Sequence, residues 1–128
     1  MPKVSRESAT KVEDYGPAED RSDDISGYTV DFVSIRQDSD LAPLLKGLPG
    51  DRCPCPHWGY LFKGTIIVRY ADHEEICQAG DAYYMAPGHA PEARAGSEFV
   101  QFSPAAELAA VHAVMQQNAL RMQQMQSS

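Results

Sequence analysis

Residues 53–64 read CPCPHWGYLFKG and residues 80–89 read GDAYYMAPGH, and these two stretches decide the fold. Each places side chains that bind metals next to a predicted strand and a glycine turn. If the two stretches are neighbouring strands of one small β-barrel, two thiols and two imidazoles converge inside it. The sequence therefore predicts a binding or catalytic pocket, although it does not identify the molecule that enters.

Short strands separated by Gly and Pro surround these two stretches. The predicted strands lie near residues 57–63, 65–71, 74–78, 82–86 and 98–103, with a looser one near 89–94. Alternation of Tyr28, Val30 and Phe32 with polar residues predicts an earlier strand, and one helical turn capped by Asp40 is predicted over residues 40–47. Repeated short strands of this kind indicate an all-β sandwich or barrel.

The two ends of the chain differ from this middle region, which is predicted to form one barrel over residues 27–103. Residues 1–26 hold few apolar side chains and carry four basic against seven acidic residues, a net charge of −3. We therefore predict that most of this segment is disordered, with an added edge strand as the alternative. Residues 104–128 lack Gly and are rich in Ala, Gln, Met and Leu, which predicts a helix with Ser103 as its N-cap.

The predicted helix has an apolar seam whose members are three or four residues apart. They are Leu108, Val111, Met115, Asn118, Met122 and Met125. Such a seam is typical of an amphipathic helix that packs on its own barrel, and equally of a helix that pairs with a second subunit. In the second case Asn118 would fix the register of the pair.

Composition and charge exclude several classes of function. With 128 residues the chain is long enough for one domain with a modest core. A net charge of −7 without a basic stripe argues against binding to nucleic acid or to an anionic membrane surface. No apolar run approaches the roughly 20 residues that span a bilayer, and the first residues lack the apolar stretch of a signal peptide. We therefore predict a cytoplasmic protein with reduced thiols.

The segment before the first long strand predicts a metal site. If residues 53–59 are extended, Cys53, Cys55 and His57 point to one face, and the two intervening prolines place the segment at an edge. Thiolate and imidazole suit Zn²⁺, with four protein ligands in a structural site and three in a catalytic one. Imidazole also suits iron, nickel and copper. We predict a divalent metal, with zinc or iron favoured, bound by His57, His89, and Cys53 or Cys55.

Each of these residues also has a purely structural interpretation. His57 would then only donate a hydrogen bond across the barrel mouth, His89 would be an exposed turn residue, and the two cysteines would be small buried apolar groups. Three cysteines, two of them one residue apart, argue against a disulfide framework. The pattern therefore leaves metal binding, thiol reactivity such as redox sensing, and plain burial as alternatives.

Other polar and aromatic side chains are candidates to line the pocket. The predicted substrate-binding residues are Tyr84, Glu98 and Gln101, with Glu98 as a candidate acid or base. Tyr83 and Tyr84 must point to opposite faces of their strand, so one of them faces the barrel interior. The alternative is that these side chains are ordinary residues of a solvated barrel edge.

The first stretch resembles the first motif of the cupin superfamily, the small β-barrel of the jelly-roll type. In that motif two His flank one residue, a Glu follows, and a Gly comes after six further residues. Gly64 resembles the Gly of the motif, so that His57 stands in the place of the Glu. Cys53 and Asp51 fall where the two His are expected.

The second stretch resembles the second cupin motif. That motif begins with Gly and continues to Pro-Gly and a His; Gly80, Pro87 and Gly88 resemble it. The His comes early, as His89, and Pro91 takes the place of the usual ligand. None of the four usual ligand positions keeps its usual residue, so a metal site here would be rebuilt from Cys and His.

The resemblance covers residues 28–103. Over this range the sequence is similar to small single-domain bacterial cupins of mostly unassigned function. It implies a jelly-roll barrel, and often a homodimer that forms through edge strands. Cupins include dioxygenases, isomerases, epimerases, lyases, storage proteins and sensors, so the resemblance alone does not decide whether this chain is an enzyme.

Three functions from different classes fit these observations. The first is a metal-dependent cupin enzyme that acts on a small polar or carbonyl-bearing molecule. The second is a non-catalytic cupin that binds or senses a small molecule without metal. The third is an assembly protein with the Met-rich helix as its adhesive element. No phosphate-binding loop and no dinucleotide fingerprint is present to favour other chemistry.

Overall fold

The structure, a computed structural model, describes residues 2–126 and contains two antiparallel sheets followed by a helix. Its strands are β1 (Lys11–Asp14), β2 (Ala18–Ile25), β3 (Tyr28–Ile35), β4 (Ser39–Asp40), β5 (His57–Lys63), β6 (Thr65–Arg69), β7 (Glu74–Gln78), β8 (Ala82–Met85), β9 (Ala90–Ala93) and β10 (Glu98–Pro104). The helix α1 (Ala105–Gln126) ends the described chain, and short 3-10 helices lie at Ala42–Leu45 and Pro49–Asp51.

The two sheets enclose the main core between them. One sheet has the strand order β1-β2-β3-β10-β5-β8 and the other β4-β9-β6-β7. Side chains alternate along each strand, so every second residue faces the opposite sheet. The buried residues that meet there are Ile35, Leu61, Ile66, Val68, Cys77, Tyr83, Met85, Ala93 and Phe99. This architecture confirms the predicted all-β barrel.

The strands predicted from the alternation pattern are confirmed in the middle of the chain. The strand predicted at residues 57–63 coincides with β5. The strands predicted after it agree with β6 to β10 within two residues. The predicted helical turn is a 3-10 helix at Ala42–Leu45, and the carboxylate of Asp40 accepts a hydrogen bond from the backbone N of Ala42 at 3.0 Å. These strands and this turn could be predicted from the sequence alone, because their signals are local.

The N-terminal segment differs from the prediction that most of it is disordered. Strands β1 and β2 form a hairpin, and β2 pairs along all of β3. Ion pairs link this region to the barrel, since Arg6 contacts Glu98 at 3.0 Å and Arg36 contacts Asp14 at 2.8 Å. Backbone pairing and ion pairs hold these strands in place. The prediction of disorder depended on the small number of apolar side chains, which does not reveal either kind of contact.

The C-terminal helix packs on its own barrel over its first half. Leu108 and Val111 are 5% and 3% exposed, and the side-chain amide of Asn118 donates to the carbonyl oxygens of Leu44 and Lys46 at 2.6 and 2.8 Å. Asn118 therefore binds the 3-10 helix of its own chain. No helix within residues 2–126 has the length and apolar character needed to cross a lipid bilayer.

The start of the helix differs from the prediction. Strand β10 continues through Pro104, and α1 begins at Ala105, whose backbone N donates to Gly27 O at 2.9 Å. Ser103 is fully buried inside β10 and is therefore not the N-cap. Its hydroxyl faces the barrel interior, where it contacts a histidine.

A tight turn at Gly64 joins the two sheets, because β5 belongs to one and β6 to the other. Ser97 is fully buried beneath this turn. Its Oγ accepts a hydrogen bond from the backbone N of Thr65 at 3.0 Å and donates to Thr65 O at 3.1 Å. The close approach of Ser97 leaves space for no side chain at Gly64.

The outer side of the six-stranded sheet carries exposed aromatic rings, which we call the aromatic face. Its members are 41–50% exposed and are Tyr28, Trp58, Tyr60, Phe62, Tyr84 and Phe102. Register places them together, since Trp58 pairs with both Phe102 and Tyr84. Trp58, Tyr60 and Phe62 share one face of β5, and that face lies outside the core.

Candidate metal centre

Three side chains that bind metals meet inside the barrel. They are Cys53, His57 and His89, and their ligand atoms lie within 4.8 Å of one another. Their exposed fractions are 4%, 5% and 0%. Three buried side chains of this type, from two separate segments, form a compact set of one sulfur and two nitrogen donors.

Backbone hydrogen bonds hold the two segments together. The backbone N of Cys53 donates to His89 O, and the backbone N of Gly88 donates to Cys53 O, each at 2.8 Å. His57 is the first residue of β5, where it pairs with Met85 at the end of β8. The segment before β5 and the turn after β8 are therefore fixed as neighbours, and their side chains converge.

His89 presents an unpaired nitrogen to this cluster. Its Nδ1 lies 2.6 Å from the carbonyl oxygen of Ala86. A carbonyl oxygen only accepts, so Nδ1 carries the proton and Nε2 has a free lone pair. Nε2 is buried and has no hydrogen-bond partner. An unsatisfied buried acceptor is costly, and this lone pair is what a metal ion requires.

His57 is held in a similar way. Its Nδ1 lies 2.6 Å from Ser103 Oγ, and its Nε2 lies 3.7 Å from the sulfur of Cys53. Burial, together with the neighbouring His89, lowers the pKa of His57 to about 3. Burial also lowers the pKa of His89. Both rings are therefore neutral near pH 7, which is the form that binds metal.

The two neighbouring cysteines have different positions. The sulfur of Cys53 belongs to the cluster, and burial raises the pKa of this thiol. Cys55 is fully buried, but its sulfur faces Pro56 O at 3.5 Å and lies outside the cluster. The reason is that β5 begins only at His57, so residues 54–56 do not keep the strand alternation that would place both thiols on one side.

Apolar side chains surround the cluster on the side of α1. Leu45, Leu108 and Val111 form a buried group with Cys53 and Cys55. Such a shell excludes water and lowers the local dielectric constant, which strengthens electrostatic contacts inside it. Three protein donors leave a fourth position for water or substrate at a tetrahedral ion, which is the arrangement of catalytic zinc sites.

No model of a known protein family matches the sequence, and no curated protein matches it. Solved structures do. A protein of unknown function from Rhizobium leguminosarum aligns with a TM-score of 0.59 over 80% of this chain and 95% of that one, at 14% identity. An RmlC-like cupin from Shewanella frigidimarina aligns with a TM-score of 0.54 over 81% and 92%, at 15% identity. This chain has the cupin fold.

A cupin with a named activity is also among the similar structures. The polyketide cyclase RemF from Streptomyces resistomycificus aligns with a TM-score of 0.57 over 81% of this chain and 79% of that one, at 14% identity. At such identities the likeness establishes the fold. The resemblance inferred from the two sequence motifs is therefore confirmed for the fold, and the site of this protein must be judged by its own residues.

The predicted substrate-binding residues occupy three different environments. Tyr84 is 49% exposed on the aromatic face, with its ring 5.1 Å from that of Trp58. Tyr83 is the inward-facing tyrosine of the pair, and its hydroxyl donates to Gln101 Oε1 at 2.8 Å. Gln101 therefore faces the interior of the sheet, whereas Tyr84 does not.

The third predicted residue, Glu98, is engaged in ion pairs. Its carboxylate contacts Arg6 at 3.0 Å and Lys63 at 3.1 Å. These contacts join the N-terminal segment to the end of β5. They give Glu98 a structural role that the sequence did not indicate, because Arg6 is 92 residues away in the chain.

Two polar residues of the barrel interior were not identified from the sequence. Ser103 was interpreted as a helix cap, although it contacts His57. Asp31 is one of the polar residues that alternate with Tyr28, Val30 and Phe32 in β3, yet it is only 4% exposed. The sequence contains one signal of this burial. Val33 and Ile35 lie on the same face of β3 as Asp31, so both faces of the strand are partly apolar.

Proposed function

We propose that this cupin binds a divalent metal ion at Cys53, His57 and His89 and uses it in metal-assisted chemistry on a small polar molecule. The observation that carries the proposal is the buried, unpartnered Nε2 of His89 beside the other two donors. A bound ion would supply a Lewis acid that polarises an oxygen of the substrate. Zinc and iron are the ions that this donor set favours.

The protein's own residues would orient the donors. Ala86 O accepts from Nδ1 of His89, and Ser103 Oγ lies 2.6 Å from Nδ1 of His57, where it would accept a hydrogen bond when Nε2 binds the ion. Such hydrogen bonds behind a metal-binding histidine fix its tautomer and ring orientation. A cytoplasmic location, still a prediction from the sequence, fits the site because the Cys53 thiol has to stay reduced.

We expect His89→Ala to lower the affinity of the metal-free protein for Zn²⁺ by at least about 100-fold, since it removes one of three donors. Cys53→Ser should act in the same direction. Zinc affinity is measured by competition with a chromophoric chelator, alongside elemental analysis of untagged protein purified without chelator. The matched control is Cys55→Ser, which changes a buried thiol two residues away and should keep the affinity within a few-fold.

Two results would contradict this proposal. One is a wild-type protein that takes up neither zinc, iron, nickel nor manganese at micromolar concentration. The other is a loss of affinity in Cys55→Ser as large as that in Cys53→Ser, since the structure places the Cys55 sulfur outside the cluster.

A second candidate function is a metal-free cupin that binds or senses a small molecule. It is favoured by the absence of the usual residue at all four ligand positions of the two motifs. This function is the one to test if no metal binds, by a melting-temperature screen against metabolites, because a ligand of the folded state raises its stability.

We also propose that the chain forms a homodimer through the aromatic face. Six rings that are 41–50% exposed leave roughly 550 Å² of aromatic surface on each copy, at about 200 Å² per ring. Two such faces would bury roughly 1,100 Å², which reaches the area of a specific interface. A second copy is the occupant that fits, because a two-fold axis places a flat aromatic patch against an identical one.

We expect Tyr60→Lys combined with Phe62→Lys to convert a dimer at 10–100 μM into a monomer in sedimentation velocity. Two buried charges at the centre of an interface should weaken it by at least about 100-fold. Ile76→Lys is the control, because Ile76 is 60% exposed on β7 in the other sheet. A wild-type monomer, or equal dissociation by the control, would contradict the proposal.

A further inference from the structure

A cavity lies between the first three strands and α1, apart from the cluster of Cys53, His57 and His89. Its volume is about 500 Å³, which is within the range of small-molecule sites. The lining residues that matter for its chemistry are Lys11, Glu13, Asp20, Asp31, His112 and Gln116. Asp23 and Asp24 also line it, so the wall is strongly acidic.

Most of the carboxylates around this cavity have partners. Asp23 accepts hydrogen bonds from the backbone N of Thr10, at 3.1 Å, and from its hydroxyl. Asp24 accepts from the hydroxyl of Thr29 at 2.7 Å. Glu13 forms an ion pair with Lys11 at 3.0 Å. These contacts satisfy the outer carboxylates and occupy the basic residue Lys11.

Asp20 and Asp31 are different. Asp31 is 4% exposed, and the polar neighbour of its carboxyl is the carboxyl of Asp20. Oδ1 of Asp20 is buried and has no hydrogen-bond partner. Among the ion pairs formed within residues 2–126, none includes either residue. A buried carboxyl pair without a positive partner is costly to the fold, so it calls for a ligand.

We propose that this cavity binds a small organic cation with N–H donors, a primary amine or diamine, whose ammonium group contacts Asp20 and Asp31. An ammonium group offers three donors and one positive charge, which matches the unpaired Oδ1 of Asp20 and the buried Asp31 beside it. The partnered carboxylates Glu13, Asp23 and Asp24 add a potential that attracts cations and repels anions.

The size of the cavity favours an organic cation over a bare metal ion. A metal ion needs six or more oxygen ligands close together if it is Ca²⁺, or a tight octahedron if it is Mg²⁺. Only two of the lining carboxylates lack partners, and the space is about 500 Å³. An alkyl chain can fill the remaining volume beside Leu108 and Ala109 of α1, which also line the cavity.

The test is a melting-temperature series on the full chain at pH 7 and 150 mM NaCl. We expect 10 mM 1,4-diaminobutane to raise the melting temperature by at least about 3 °C. Tetramethylammonium, which has the charge but no N–H, and 1,4-butanediol, which has the length but no charge, should have less than a third of that effect. Equal stabilisation by tetramethylammonium or larger stabilisation by CaCl₂ would overturn the proposal, as would no shift with the diamine.

Two pairs of variants locate the effect. Asp20→Asn and Asp31→Asn should each remove most of the diamine-induced shift, and calorimetric titration should show at least a tenfold weaker affinity. Asp23→Asn and Asp24→Asn are the matched controls, because they remove the same charge from the same wall at residues that already have partners. Equal losses in the two pairs would overturn the proposal, since they would indicate general attraction of cations. The series is run again with Cys53→Ser, where a diamine-induced shift is still expected because the cavity and the proposed metal site use different residues.

Discussion

Replacing Asp31 with Asn should stabilise the ligand-free protein at pH 7 by on the order of 2–4 kcal/mol. Burial, with the carboxyl of Asp20 beside it, raises the pKa of Asp31 to about 9. The wild-type protein therefore has to keep Asp31 protonated at a pH where the unfolded chain would release the proton. Asn is nearly the same size and is neutral at every pH, so it removes this cost.

The direction of the pH dependence follows from the raised pKa. The folded protein binds the proton of Asp31 more tightly than the unfolded chain, whose pKa is about 3.9. The contribution of Asp31 to stability is therefore complete below about pH 4 and is lost as the pH rises toward about 9. The charged groups that face Asp31 and Asp20 from neighbouring elements are Lys11, Glu13, Asp24 and His112.

Urea unfolding at pH 5, 6, 7 and 8 measures this effect. The free energy of unfolding of Asp31→Asn should exceed that of the wild type by a margin that widens with pH, at up to about 1.4 kcal/mol per pH unit. Asp23→Asn is the control and should show no widening, because Asp23 already accepts hydrogen bonds from Thr10. A constant difference across the series would show that Asp31 is ionised in the folded protein.

Replacing Gly64 with Ala should destabilise the protein by about 3 kcal/mol or more. Gly64 has a φ of +87°, which costs an L-residue roughly 1–2 kcal/mol. A Cβ at this position would also lie 2.5 Å from Ser97 Cα and would collide with Ser97 Oγ. Overpacking against backbone typically adds 1–3 kcal/mol. Ser97 cannot move away easily, since it holds both backbone groups of Thr65.

The variant Gly80→Ala separates the two costs of Gly64→Ala, which are the positive φ and the clash with Ser97. Gly80 has a φ of +96°, but a Cβ there would meet nothing within 4 Å. It should therefore lose only about 1–2 kcal/mol, which is the conformational cost alone. Both variants are compared by urea unfolding at one pH. If Gly64→Ala loses no more than Gly80→Ala, Ser97 does not restrict the turn as the structure indicates.

The barrel could be predicted from the sequence because its signals are local. Apolar alternation and Gly or Pro turns located β5 to β10 within two residues. The hairpin of β1 and β2 gave no such signal: backbone pairing joins its two strands, and ion pairs such as Arg36–Asp14 link it to the barrel. Pairing with β3, the next strand along the chain, orders that segment, and β2 and β3 meet at a turn through Ser26 and Gly27.

The metal cluster could be predicted only in part. The sequence indicated the right ligand types, since Cys53, His57 and His89 were all candidates. It could not separate Cys53 from Cys55, because the bend before β5 depends on the bridge between Cys53 and His89. The contact between Asp20 and Asp31 could not be predicted either, since it depends on the register of β2 against β3, which pairs Asp20 with Val33 and so makes Asp31 its diagonal neighbour.

One side chain of α1 belongs to both interior sites. Leu108 packs in the apolar group around Cys53 and also lines the acidic cavity. Displacing the helix would therefore open both places at once. A ligand bound at either site raises the free-energy cost of displacing α1. It therefore also makes the other site harder to open. By thermodynamic reciprocity, the two sites would report on each other without any contact between their ligands.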